Sequence, residues 1–186
     1  PGVELVLGAG VRVIESHFDG TDFLVAWRTG SGNVTARRVS VAGNMVDSVP
    51  WALPSDLVSL AFDGTKYMAL RNVMDDVTYT IVPHAGFITQ SGNVGGFWPL
   101  DLYCRNASTY CSAHQVVYGG GNFLVLYGPA SWRDISYQLY DTGGNLVQLV
   151  DLVRHLGLYP RAAFDGTKFA VVWDDFRDIS NAASIY

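Results

Sequence analysis

One ten-residue pattern occurs four times in this chain, and it constrains the fold more than any other feature. The clearest copy is Phe164-Asp165-Gly166-Thr167-Lys168-Phe169-Ala170-Val171-Val172-Trp173. Phe18-Asp19-Gly20-Thr21 leads to Phe23 and Trp27, and Phe62-Asp63-Gly64-Thr65 leads to Tyr67, with Arg71 in the place of the Trp. In the third copy Tyr118-Gly119-Gly120-Gly121-Asn122 leads to Phe123 and Tyr127. A fixed internal period decides architecture before other features are weighed. Each copy reads as a β-hairpin. Asp-Gly between apolar runs is the signal for a type I′ turn, in which both central residues take positive φ. The strand that follows is almost continuously apolar, as in Phe123-Leu124-Val125-Leu126-Tyr127, which suits a strand covered on both faces.

Downstream of each hairpin come further strand-like segments. Val34 to Val39 alternates apolar and polar after the turn at Gly30–Asn33, and Gly43-Asn44 turns the chain again before Met45-Val46. The second repeat offers Val77 to Val82 as its third strand, Gly86 as a turn and Phe87-Ile88-Thr89 as its fourth. The third repeat offers Ile135 to Tyr140, Gly143-Gly144-Asn145 and Leu146-Val147. The leading aromatics at 18, 62, 118 and 164 are spaced by 44, 56 and 46 residues. Four strands per repeat at such a period predict an all-β propeller of four-stranded antiparallel blades, with an immunoglobulin-type sandwich as the rival. On this reading residues 1–186 form one propeller domain, with repeats near 11–56, 57–94, 114–158 and 159–186 and an insertion at 95–113. Residues 1–10 supply a closing or preceding-blade strand. The chain is then either a compact four-bladed ring or a segment of a larger propeller.

Composition agrees with many short strands joined by glycine turns. The 186 residues include 20 glycines, 13% aromatic and 16% charged residues, the last well below the usual quarter or so. A net charge of −5 argues against a nucleic-acid or anionic-membrane partner, and no run of 18 apolar residues is present to insert in a bilayer. Cys104 and Cys111 sit in a polar stretch and can close as a disulfide in an oxidising compartment; the alternative is two free thiols. Asn106-Ala107-Ser108 and Asn33-Val34-Thr35 match the N-glycosylation pattern, which makes Asn33 and Asn106 candidate acceptors.

The pattern F-D-G-T-x-F/Y-x-V-x-W, with Asp174, Asp175 and Arg177 after the last Trp, resembles repeats of secreted bacterial β-propeller proteins. The resemblance covers nearly the whole chain and implies an architecture and an extracellular or cell-surface location. It departs at Arg71 and at Gly119-Gly120. The chain lacks the recurring Gly-His…Trp-Asp pair of WD40 repeats and the S-x-D-x-G-x-x-W box of sialidase-like propellers.

Residues able to carry chemistry are few. Five-bladed glycosidases use two carboxylates across a tunnel; the candidates here are Asp75-Asp76, Asp101 and the group Asp174, Asp175 and Asp178. Oxygen ligands from that last group could hold calcium, although they lack the spacing of a dedicated loop. His17, His84, His114 and His155 fall in different repeats, and Gly-x-Ser-x-Gly is absent. Trp51, Phe97, Trp98, Tyr103, Tyr110 and Trp132 lie outside the repeating hairpins and are read as loop aromatics that could stack on sugar rings. The expected function is an extracellular, non-catalytic module recognising a glycan or a protein, with no obligatory cofactor. A structural subunit of a surface or filamentous assembly is the first alternative, and a glycoside hydrolase or lyase the second.

Overall fold

Strand after strand pairs with its sequence neighbour. The computed structural model describes residues 10–76, 80–100, 111–129, 135–153, 157–175 and 184–185. The first sheet contains β1 (Arg12–Phe18), β2 (Asp22–Arg28), β3 (Val34–Ser40) and β4 (Trp51–Leu53), in that order and antiparallel. The second contains β5 (Leu57–Phe62), β6 (Lys66–Met74), β7 (Ile81–Thr89) and β8 (Val94–Pro99). The third contains β9 (Cys111–Gly119), β10 (Asn122–Pro129), β11 (Ile135–Asp141) and β12 (Leu146–Val153). Among the described residues the fourth sheet has three strands, β13 (Gly157–Phe164), β14 (Phe169–Asp175) and β15 (Ser184–Ile185). The first strands of successive sheets adjoin, β1 on β5, β5 on β9 and β9 on β13, so each sheet is a blade with its first strand innermost. The fold is a β-propeller built of four-stranded antiparallel blades.

Two buried clusters hold the blades together, one at each of the first two junctions. Leu24, Ala26, Val34, Ala36, Trp51 and Leu53 of the first blade meet Leu57, Leu60, Tyr67, Ala69 and Ile88 of the second. Ala61, Met68, Leu70 and Ala85 of the second meet Cys111, Ala113, Val116, Phe123, Val125 and Tyr127 of the third. Odd positions such as Tyr67 and Ala69 face the preceding blade, and even positions such as Met68 and Leu70 face the following one. That two-sided burial is why these strands read as unbroken apolar runs.

The repeating turn differs from the type I′ expectation. Positive φ is confined to Gly20, Gly64 and Gly166, at 97°, 99° and 101°, while the aspartates keep negative φ. Gly and Thr are the two central residues, a glycine-first arrangement belonging to the type II′ class. Asp63 flanks the turn, and its Oδ1 accepts from the Thr65 N–H (2.7 Å), the Lys66 N–H (2.8 Å) and the Thr65 hydroxyl (2.7 Å). Asp165 repeats those bonds with Thr167 and Lys168, and these donors hold its carboxyl below the usual carboxylate range, the Lys168 N–H most of all. Only the third hairpin, which lacks Asp, has positive φ at both central residues, Gly120 and Gly121.

Two further expectations change. Gly86 is not a turn: it lies within β7 opposite Phe97, where an added Cβ would sit 2.7 Å from the Phe97 ring. Phe87-Ile88-Thr89 therefore ends the third strand rather than forming the fourth. The turn comes later, at Thr89–Asn93, where the Thr89 N–H donates to Asn93 O and the Gly92 N–H to Thr89 O. Consequently Val94–Pro99, read as the start of an insertion at 95–113, is the fourth strand of the second blade. The same five-residue turn serves Thr29–Asn33, Ser40–Asn44 and Asp141–Asn145, each ending in Gly-Asn.

Candidate functional site

All four innermost strands carry a bulge at the same repeat position. The register slips between Val13 and Glu15, between Leu57 and Ser59, at His114, and between Leu158 and Arg161. A bulge places one extra residue in a strand and re-aims the side chain beside it. The residue that follows, three before the leading aromatic, is Glu15, Ser59, Gln115 or Arg161.

The first three of these form a relay from blade to blade. A Glu15 carboxylate oxygen accepts from the Leu60 N–H. Ser59 Oγ accepts from the Val116 N–H at 3.1 Å, and Gln115 Oε1 accepts from the Ala162 N–H at 2.7 Å. Leu60, Val116 and Ala162 are equivalent residues, two before the leading aromatic, so one geometry is used three times. The relay is extended sideways: the Ser59 hydroxyl donates to Glu15 Oε1 at 2.7 Å, and Glu15 Oε2 lies 3.0 Å from His17 Nε2. Inner-strand N–H groups with no partner in their own sheet thus find one in the preceding blade, as burial demands. At the fourth blade the pattern stops. Arg161 carries only donors, and its guanidinium bonds Pro160 O at 2.9 Å.

Two side chains add to the junction between the second and third blades and to the next. Asn72 bonds both backbone groups of Ala113, accepting its N–H at 2.9 Å and donating to its carbonyl at 3.3 Å, in imitation of a strand. His114, the bulge residue of β9, is half-buried; burial first, then the positive charge of Arg161, pushes its imidazole down to about 4. It is neutral at pH 7.

The aromatic candidates are distributed differently from the loop expectation. Trp51 is in β4 and buried, in edge contact with Tyr67 of the next blade at 6.3 Å. Trp98 and Phe97 are in β8 and half-buried, and the Trp98 ring lies 5.4 Å from that of Phe87. Both tryptophans are roofed by a turn glycine of the following blade: a Cβ on Gly92 would meet the Trp51 ring at 2.5 Å, and one on Gly144 the Trp98 ring at 3.0 Å. They are outer-strand core residues, placed there because a bare glycine lets the neighbouring turn close over an indole. Tyr103, Tyr110 and Trp132 lie outside the described residues.

Among the acidic candidates, Asp75 donates its N–H to Thr80 O at 2.8 Å beside the exposed Asp76, and Asp174 lies in β14. Asp101 and Asp178 lie outside the described residues, as does His155, and of Asp175 only the backbone is described. The described residues bring no three His, Cys, Asp or Glu side chains together as a metal site. His84 Nδ1 lies 2.9 Å from Val82 O. Cys111 is buried at the start of β9, Asn33 is exposed in its turn, and Cys104 and Asn106 lie outside the described residues. Sequence reading missed Glu15, Ser59 and Gln115; their shared offset from the leading aromatic was the available signal.

No protein-family model and no curated protein matches the chain. Its fold is similar to the WD40 domain of coronin from Toxoplasma gondii, with a TM-score of 0.56 over 94% of this chain and 12% identity. That similarity covers 45% of the coronin chain, so this chain spans just under half its length. The two share a propeller fold, and this chain lacks the recurring Gly-His…Trp-Asp pair.

Proposed function

We propose that this chain is a non-catalytic interaction module, outside the cell, whose inter-blade connections recognise a glycan or a protein. The observation that carries this reading is the use made of the polar side chains. Glu15, Ser59 and Gln115 are committed to joining blades, and Asp63, Asp165 and Asp19 to holding turns. Groups saturated by fixed donors build a scaffold and are poorly disposed to move protons for a substrate. What such a scaffold offers a partner is its connections, and the longest between described blades joins β8 to β9 and holds Tyr103 and Tyr110. A Cys104–Cys111 bridge would pin that connection to the buried start of β9 and belongs to the same proposal. A similar fold in a WD40 domain fits a scaffold role.

The test is a glycan array together with capture of surface proteins by the immobilised chain. Binding lost in Tyr103→Ala or Tyr110→Ala, with an unchanged melting temperature, is the expected result. Turnover of a polysaccharide, abolished by Asp174→Asn, would replace the binding reading with the hydrolase one.

A further inference from the structure

The outer rim of the first blade carries an apolar patch, and the second and third blades, which have neighbours on both sides, show that this rim is open surface. The connection from β3 to β4 exposes Val41 and Val49, each at 70%, together with Met45 and Val46. Val41 takes the second place of the five-residue turn, where the next two blades have Gln90 and Thr142, both exposed. Met45, opposite Val39, is equivalent to Val94 opposite Ile88 and to Leu146 opposite Tyr140, and all three are exposed. A further blade against the first would therefore leave these positions in solvent. Two features set the first blade apart. Val41 stands where the others have a polar residue, and seven residues separate Asn44 from Trp51 where five separate Asn93 from Trp98. Both tryptophans sit opposite an alanine of the third strand, Ala36 and Ala85, so the two extra residues are looped out ahead of β4, around Val49.

That loop is held in one shape. The Asp47 carboxylate accepts from the Arg38 N–H at 2.7 Å and from its guanidinium, at 3.1 Å from Nε and 2.7 Å from Nη2, while the Val46 N–H donates to Arg38 O at 3.0 Å. Arg37 is left otherwise. Its Nη2 donates to Ser48 O at 3.4 Å, its Nε is buried without a partner, and among the described residues no carboxylate pairs with it. A cation without a counter-charge thus stands beside the exposed Val49. We propose that this rim is a docking surface for a segment of another protein that carries apolar side chains and a carboxylate. Val41, Met45, Val46 and Val49 supply the apolar contact, and Arg37 selects an acidic residue by charge complementarity. Branched aliphatic side chains offer no flat face to a sugar ring, which favours a peptide over a glycan here. A loop already fixed by Asp47 loses little freedom on binding. The surface lies within one blade, apart from the β8–β9 connection, and does not depend on what that connection binds.

The probe is a library of short random peptides displayed on phage and selected on the immobilised 186-residue chain. Enriched peptides are expected to share apolar residues around an Asp or Glu. Val49→Asp alters an exposed position and should weaken a selected peptide by about tenfold or more, with an unchanged melting temperature. Val41→Asp serves as the second apolar variant if Val49→Asp does not fold. Arg37→Gln removes a charge-assisted bond and should weaken the peptide about tenfold. Tyr110→Ala, in the β8–β9 connection, should leave peptide binding unchanged. No enrichment, or peptides that bind the Asp variants as well as the wild type, overturns the proposal. Peptides without an acidic residue, or indifferent to Arg37→Gln, overturn the assigned partner chemistry. A wild-type dimer that Val49→Asp dissociates gives the patch to a second copy, and pelleting with phosphatidylserine vesicles that Val49→Asp abolishes gives it to a membrane. Either result overturns it as well.

Discussion

Ser59 belongs to two junctions at once, because its hydroxyl donates forward to Glu15 of the first blade while its oxygen accepts the Val116 N–H of the third. Ser59→Ala removes both partners from buried sites, and an unsatisfied buried N–H alone costs about 1–3 kcal/mol. The expected loss in urea denaturation is about 2–3 kcal/mol; a change near zero would mean the relay is ornamental. Tyr67 points the other way. Its ring fills the first junction while its hydroxyl is buried without a hydrogen-bond partner, and burial, with Asp19 nearby, raises its pKa. Tyr67→Phe should therefore be neutral or stabilising by about 1 kcal/mol, read as a raised melting temperature. His114 sets a pH dependence. Its folded pKa, about 4, lies below the unfolded value of 6.5, so between these values the unfolded chain binds the extra proton. Stability is then complete above 6.5 and declines as pH falls towards 4, by up to about 3 kcal/mol. His114→Gln should flatten that part of the profile, and an unchanged slope would assign it to other groups.

Among the elements, the turns separate two costs that sequence alone merges. Gly20 and Gly92 both have positive φ, at 97° and 83°, but a Cβ on Gly20 meets nothing within 4 Å, whereas one on Gly92 runs into the Trp51 ring. Gly20→Ala should cost about 1 kcal/mol from backbone conformation alone. Gly92→Ala adds the displacement of a buried indole and should cost about 2–4 kcal/mol. Equal losses in thermal melts would show that the indole gives way freely. The bulges matter at this scale too, since a regular strand would aim residues 15, 59 and 115 elsewhere and leave the next blade's N–H without an acceptor.

At the scale of the whole molecule, protection should vary from blade to blade. The third blade is covered on both sides, while β14 of the fourth exposes Ala170 and Val172. Amides of β14 should therefore exchange with solvent faster than those of β10 in dilute solution, because local opening there exposes less new apolar surface. Uniform protection across β10 and β14 would contradict this.

The sequence by itself determined the repeat, the hairpins and the propeller class, because each depends on short-range rules: glycine where φ is positive, and apolar runs where a strand is covered twice. It also marked the third hairpin as different, although the type I′ turn belongs there rather than to the Asp-Gly copies, where the carboxylate is occupied by two N–H groups and a hydroxyl in the second and fourth. Only the tertiary structure decided the role of Gly86, the strand at Val94–Pro99 and the burial of Trp51 and Trp98. Each depends on what a neighbouring strand or blade places opposite: the Phe97 ring, the β7 backbone, a turn glycine. The relay lay between these cases. Glu15, Ser59, Gln115 and Arg161 share an offset that can be read in the sequence, but they differ in residue type, and what unites the first three is an N–H group more than forty residues away. A contact of that kind is set by how blades stack, and no local pattern encodes it.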